Sequence, residues 1–267
     1  MAIRPRRRLD LRKTLFVLPN LITLSSIFCG FDSMRLAASA KGDDDYFAAA
    51  LLLVFAMFFD MLDGRVARMT RTQSAFGLQI DSLADVVSFG AAPALLVYQW
   101  SLHRLGDLGL AAAFVFLACG AVRLARFNVL SMGEQGKPTR PSKYIVGLPI
   151  PGAAGILISI VVTDHAVAGD FGSPRYTLPV LAVTLGLSFL MVSTIKFRSF
   201  KDIKLNGRTL AFVAFTVLSS IVISTQLKPA FVLVWLLGMY VALALLETLV
   251  GMVRRRPQPR NSVPPTA

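Results

Sequence analysis

Eight apolar runs, each about as long as a bilayer is thick, leave this chain little choice of fold. A membrane-crossing helix needs roughly 20 consecutive, mostly apolar residues. Such runs occupy residues 15–38, 46–63, 80–102, 108–130, 145–163, 177–195, 209–227 and 230–252. Backbone groups in hydrocarbon must find their hydrogen bonds within the protein, so each run is expected to be a helix. The fold class predicted is all-α: a polytopic membrane bundle of about eight transmembrane helices. Composition agrees, with 55% of the 267 residues hydrophobic and only 16% charged, against about 25% charged in an average soluble domain.

The net charge of +13 would suit a nucleic-acid binder if it formed one stripe. It does not. With the N-terminus in the cytoplasm and eight crossings, 23 of the 28 Lys and Arg residues fall before residue 18, in 64–80, 122–144 and 196–208, or after 253. Arg35, Lys41, Arg104, Arg175 and Lys228 remain for the other side, where Asp43, Asp44, Asp45, Asp107, Asp164 and Asp170 also fall. This is the positive-inside pattern. It predicts both termini in the cytoplasm, a multi-pass protein of a prokaryotic cytoplasmic membrane, and no nucleic-acid partner.

The chain divides into a basic flank at 1–14, a core at 15–195, two further spans within 196–253, and an Arg- and Pro-rich tail at 254–267 expected to be disordered. The flank interleaves Leu9, Leu11 and Leu15 with basic residues. It reads equally as an interfacial amphipathic helix or as a solvated basic border. A basic start, an apolar run and Ala38-Ser39-Ala40 also resemble a cleavable signal. Asp32 and Arg35 interrupt that run, however, and cleavage would break the charge pattern, so the first span is expected to be retained. Cys29 and Cys119 lie within spans and give no disulfide framework, while His103 and His165 fall in outer loops, so no zinc site is expected.

Four aspartates then stand out against the apolar background. They read Asp60-x-x-Asp63-Gly64-x-x-Ala67-Arg68, eight residues, then Gly77-x-x-x-Asp81-x-x-x-Asp85. An ionisable side chain within a membrane segment is expensive and is a functional candidate by default. Asp60 and Asp63 are i,i+3, and Gly77, Asp81 and Asp85 are successive i,i+4 steps, so each set lines one helix face. Two such faces turned together make an oxygen-rich pocket for a hard divalent cation, Mg²⁺ or Mn²⁺. Two ions about 3.5–4 Å apart could activate an attacking oxygen and stabilise a leaving phosphate oxygen. Arg68 offers a cationic fork suited to phosphate, and Gly64, Ala67 and Gly77 leave the backbone open to a nucleotide. A structural alternative pairs the acids with Arg65, Arg68 and Arg71, but it leaves Asp81 and Asp85 without nearby basic partners in the sequence.

The pattern from Asp60 through Asp85 resembles the signature of the CDP-alcohol phosphatidyltransferases at every defined position. Similarity to the phosphatidylserine synthase branch extends to Pro19-Asn20-Leu21-Ile22-Thr23, to Asp81 through Pro93, to Arg123-Leu124-Ala125-Arg126-Phe127-Asn128 and to Gly147-Leu148-Pro149-Ile150-Pro151. Together these cover about residues 15–155. The resemblance implies transfer of a phosphatidyl group from CDP-diacylglycerol to L-serine with release of CMP. It further implies Asp60, Asp63, Asp81 and Asp85 as metal ligands, with Asp85 also the catalytic base. Asn20, Gly64, Ala67, Arg68 and Gly77 would face CDP-diacylglycerol. A homodimer in the lipid bilayer, with its active site at the cytoplasmic face, is expected.

The acceptor pocket is the harder part. Serine carries a carboxylate, so a cation is needed near Asp85. Arg126 is the first choice, with Arg123 and Asn128 beside it, and the competing reading is anchoring of both arginines at the interface. Lys137, Arg140 and Lys143 could meet phosphate or lipid headgroups. Relatives that use glycerol-3-phosphate typically read Asp-Lys where this chain has Asp85-Val86. Inositol-phosphate and choline acceptors stay open as alternatives. A cation transporter would spread polar residues through several spans at mid-membrane, whereas the sixth to eighth spans offer only Ser, Thr and Glu247.

Overall fold

The computed structural model describes residues 11–70, 72, 74–131, 144–167 and 173–198, with scattered helical positions between 216 and 242. Spans seven and eight therefore fall largely outside the described residues. So do most of the basic flank, the 254–267 tail, Arg71, Lys137, Arg140 and Lys143.

Helix α1 (Leu11–Ala38) and helix α2 (Asp43–Thr70) form an antiparallel pair. Helix α3 (Ala75–Asp85) runs through a π-helical segment, Val86–Ala91, into α4 (Ala92–Trp100). Helix α5 spans Asp107–Ser131, α6 Ile150–Ala166 and α7 Thr177–Val192. Among the described residues, five segments are long and apolar enough to cross a membrane: Leu18–Ala38, Asp43–Thr70, Phe76–Trp100, Asp107–Leu130 and Pro174–Val192. Ile150–Ala166 is a shorter apolar helix. The chain is a multi-pass membrane protein, and the first six predicted spans each coincide with a helix.

These helices wear their large side chains outside. On α1, Thr23, Ser26, Gly30, Ser33 and Ala37 face inward, while Leu21, Leu24, Phe28 and Phe31 are exposed. On α2, Ala49, Ala50, Leu53 and Ala56 are buried, and Phe55, Phe58 and Met61 are exposed. Water would punish this arrangement, but lipid does not. Small inward residues let two backbones approach, and hydroxyls can then bond across the gap. Ser33 Oγ donates to Ala49 O at 2.8 Å and Ser26 Oγ to Ala56 O at 3.1 Å.

Two features depart from an unbroken helical reading. The third span is not one α-helix, because its hydrogen-bond ladder widens to a π turn where Ala92 N reaches back to Val87 O. Pro93, which has no N–H to give, follows immediately. The fifth span, expected from residue 145, begins instead at Ile150. Before it the chain is extended, and β1 (Tyr144–Val146) pairs antiparallel with β2 (Lys196–Arg198), Ile145 opposite Phe197. Pro149 explains the delay, since the residue before a proline avoids the helical region and proline itself favours a helix start.

Candidate active site

The acidic faces of α2 and α3 meet against α1. Each helix contributes for a local reason. Helix α2 continues unbroken past Gly64, which keeps Asp60 and Asp63 on one face. Helix α3 starts where Ser74, in extended conformation, accepts a 2.9 Å hydrogen bond from Gly77 N, an N-cap that fixes the phase of Asp81 and Asp85. The π segment begins just after Asp85. It carries Ser88 against α1, where Ser88 Oγ donates to Ser26 O at 3.0 Å. A methyl group on Gly30 would lie 2.9 Å from Ser88 Cα, so the two backbones are as close as glycine allows.

One carboxylate oxygen each from Asp60, Asp63 and Asp81 lies within 4.8 Å of the others. Asp63 is buried, with 4% exposure, and its Oδ2 accepts a 2.6 Å hydrogen bond from Thr23 Oγ1. Asp85 meets Asp60 through a side-chain contact, and its Oδ1 is buried with no hydrogen-bond partner among the described residues. Carboxylates packed this closely repel one another unless a cation neutralises them. An all-oxygen donor set with one orphaned buried oxygen fits a hard divalent ion.

Around this cluster the expected substrate residues separate into groups. A methyl on Gly64 would sit 3.5 Å from Arg68 Nη1, so the arginine lies over bare backbone beside Asp63. One on Gly77 would sit 3.8 Å from Asn20 Oδ1, so α1 and α3 approach closely at this point. Ala67 lies on the same helix, where its carbonyl accepts from Thr72 N at 3.1 Å. Asn128 Nδ2 donates to Ser82 Oγ at 2.9 Å, tying the end of α5 to the residue after Asp81. Arg123 is buried at 7% exposure, stacks 5.4 Å over the Phe127 ring and lies within electrostatic range of Asp85.

Arg126, expected at the acceptor carboxylate, bonds to backbone carbonyls. Its Nη1 donates to Val192 O at 2.9 Å, and its Nη2 to Val146 O and Ser193 O, both at 3.2 Å. These bonds engage Nη1 and Nη2 of the guanidinium.

Sequence reasoning gave no role to Thr23, Ser82 or Ser88. Thr23 was detectable in principle, since it begins the small, polar stripe Thr23, Ser26, Gly30, Ser33 on an otherwise bulky apolar helix. Ser82 and Ser88 carry no such signal. Asp32 and Arg35 form an i,i+3 ion pair of 2.6 Å within α1.

Fold and site together define an integral membrane protein with a cluster of carboxylates between its helices that could hold a cation. The model of the CDP-alcohol phosphatidyltransferase family matches residues 16–245, and the chain belongs to that family. It is 36% identical over 240 residues to a CDP-diacylglycerol–serine O-phosphatidyltransferase of Helicobacter pylori, covering 90% of this chain and 94% of that one. A Bacillus subtilis protein of the same name is 36% identical over 185 residues, 69% of this chain and 91% of its own. An archaetidylserine synthase of Methanothermobacter thermautotrophicus is 33% identical over 191 residues, 70% of this chain and 72% of its own.

Proposed function

We propose that this chain is a phosphatidylserine synthase, which transfers the phosphatidyl group of CDP-diacylglycerol to the hydroxyl of L-serine. The observation that carries this reading is the convergence of Asp60, Asp63 and Asp81 within 4.8 Å, with the unpartnered Asp85 oxygen beside them. The names of the relatives supply the acceptor. Asp60, Asp63, Asp81 and Asp85 would hold two divalent ions, Mg²⁺ or Mn²⁺. When bound, such ions neutralise charge on the pyrophosphate and on the leaving CMP oxygen.

Every other step belongs to the chain itself. Asp85 takes the proton from the serine hydroxyl, whose oxygen attacks the β-phosphorus. The bond from that phosphorus to the bridging oxygen breaks, and CMP leaves with the electron pair. Arg68, lying over the bare backbone of Gly64, takes a donor phosphate, and Asn20 and Gly77 face the nucleotide. Arg123 takes the serine carboxylate. It is buried within electrostatic range of the base, and a serine molecule spans only a short distance from hydroxyl to carboxylate. Asn128 orders the same wall through Ser82.

The reading puts the site at the cytoplasmic face of a prokaryotic cytoplasmic membrane, with both termini cytoplasmic, and makes the protein a homodimer. A reporter fused after Ala267 that is active only outside the membrane would contradict the orientation. Light scattering of the detergent complex tests the dimer, and a monomer mass would remove it. Acceptor identity is tested with purified protein, CDP-diacylglycerol, Mn²⁺ and competing serine, glycerol-3-phosphate, inositol-phosphate and choline. Phosphatidylserine and CMP should form together. Products from another acceptor alone would move the chain to a sibling activity, and no CMP release with any acceptor would overturn the transferase reading.

A further inference from the structure

The exit of α7 is a place where backbone groups ought to be in difficulty. The last carbonyls of a helix have no partner within it, and near a membrane there is little water to take them. Here each finds one. Phe189 O accepts from Ser193 N at 2.9 Å, Leu190 O from Leu148 N at 3.0 Å, and Ile195 O from Gly147 N at 2.8 Å. Met191, Val192 and Ser193 turn their carbonyls to Arg126, at 3.5, 2.9 and 3.2 Å. The same guanidinium also holds Val146 O, at the end of β1, at 3.2 Å.

Gly147 shows how tightly this junction is built. Its φ is +79°, in the left-handed region, and a methyl group there would lie 2.3 Å from Met191 O and 2.7 Å from Arg126 Nη2. A cation among the carbonyls at a helix C-terminus is also favoured by the helix dipole. One side chain on α5 therefore fastens the entry to α6 and the exit from α7. The same stretch of α5 carries Arg123, three residues earlier, and Asn128, two residues later. Asn128 bonds to Ser82, and Arg123 lies within electrostatic range of Asp85.

We propose that Arg126 is a positioning residue. Its guanidinium clamps the carbonyls of the α7 exit and Val146 to α5, and so holds Arg123 and Asn128 in register with Asp85 and Ser82. The clamp itself stands on the hydrogen bonds alone; only its consequence for the acceptor rests on the reading given under Proposed function.

The test uses full-length protein in detergent, comparing wild type with Arg126→Ala, Arg126→Lys and Gly147→Ala. Hydrogen–deuterium exchange without substrate should rise about tenfold or more at the α7 exit and at 146–148 in Arg126→Ala and Gly147→Ala, and less in Arg126→Lys. Exchange in α2 should stay at the wild-type level, which separates loss of the clamp from general unfolding. Unchanged exchange at the α7 exit in Arg126→Ala would overturn the proposal. Transfer to serine is then measured in the same variants. Loss of the clamp should lower kcat/KM about tenfold in Arg126→Ala, with partial recovery in Arg126→Lys and a similar fall in Gly147→Ala, which keeps the guanidinium but disturbs the junction. Wild-type transfer in Gly147→Ala with raised exchange at the α7 exit, beside a loss in Arg126→Ala, would mean that the guanidinium acts on substrate directly and would also overturn it. Should wild type not transfer to serine, the acceptor reading fails while the exchange data still decide the clamp.

Discussion

Asp60 with Asp63 and Arg123 with Arg126 look alike in the sequence: two like charges three residues apart, near one end of an apolar helix. The structure treats them in opposite ways. The two aspartates converge with Asp81 on one small volume, whereas the two arginines part, Arg123 buried over the Phe127 ring within electrostatic range of Asp85 and Arg126 bonded to the carbonyls of α7. Side-chain length accounts for the difference. A carboxylate one bond from Cβ goes where its helix face points, so spacing fixes its destination. An arginine reaches several ångströms along or away from its helix, and its five donors can be claimed by any cluster of acceptors in range. Helical spacing therefore locates short acids well and long bases poorly.

That contrast can be broken by substitution. The largest effect belongs to the converging acids. Asp81→Asn should lower kcat by about 10³-fold or more, since losing a metal-held charge removes several kcal/mol of transition-state stabilisation. CMP release at near wild-type rates would show that the acids do not act as one centre.

A smaller and selective effect is expected from the arginine that faces the base. Arg123→Ala should raise KM for serine about 10- to 150-fold, the range for a charged hydrogen bond lost from a desolvated pocket. KM for CDP-diacylglycerol should move far less. Equal shifts for both substrates would return Arg123 to a structural role and erase its contrast with Arg126.

The mildest change probes support for the acids from α1. Thr23→Val removes the 2.6 Å hydrogen bond to Asp63 Oδ2 while keeping the side chain's shape. Mn²⁺ affinity should fall by roughly tenfold, at the low end for the loss of a partner that orients a metal ligand. Thr23→Ser, which keeps the hydroxyl, should restore it. Equal affinity in the Val and Ser variants would make Thr23 a packing residue only.

Much of the fold was legible because lipid imposes simple rules. The 46–63 run marks the apolar part of α2 but stops short of the helix end at Thr70, because the last turns carry Arg65 and Arg68 and are no longer apolar. The acids of the site were legible for the reason given above. The π segment after Asp85 was not, since it depends on Pro93 together with close packing of Ser88 on Gly30. Nor was the β1–β2 ladder, which joins residues 144–146 to 196–198 across two helices. Arg126 belongs with these, because its partners are backbone carbonyls whose positions no local pattern specifies.

The most direct test of the central claim, that the two acidic faces form one metal centre, is the number of Mn²⁺ ions bound by purified protein, read by electron paramagnetic resonance. Wild type in the presence of CDP-diacylglycerol should bind two. Asp63→Asn and Asp81→Asn, each still monodisperse, should each lose at least one. The same Mn²⁺ count in all three proteins would contradict the account.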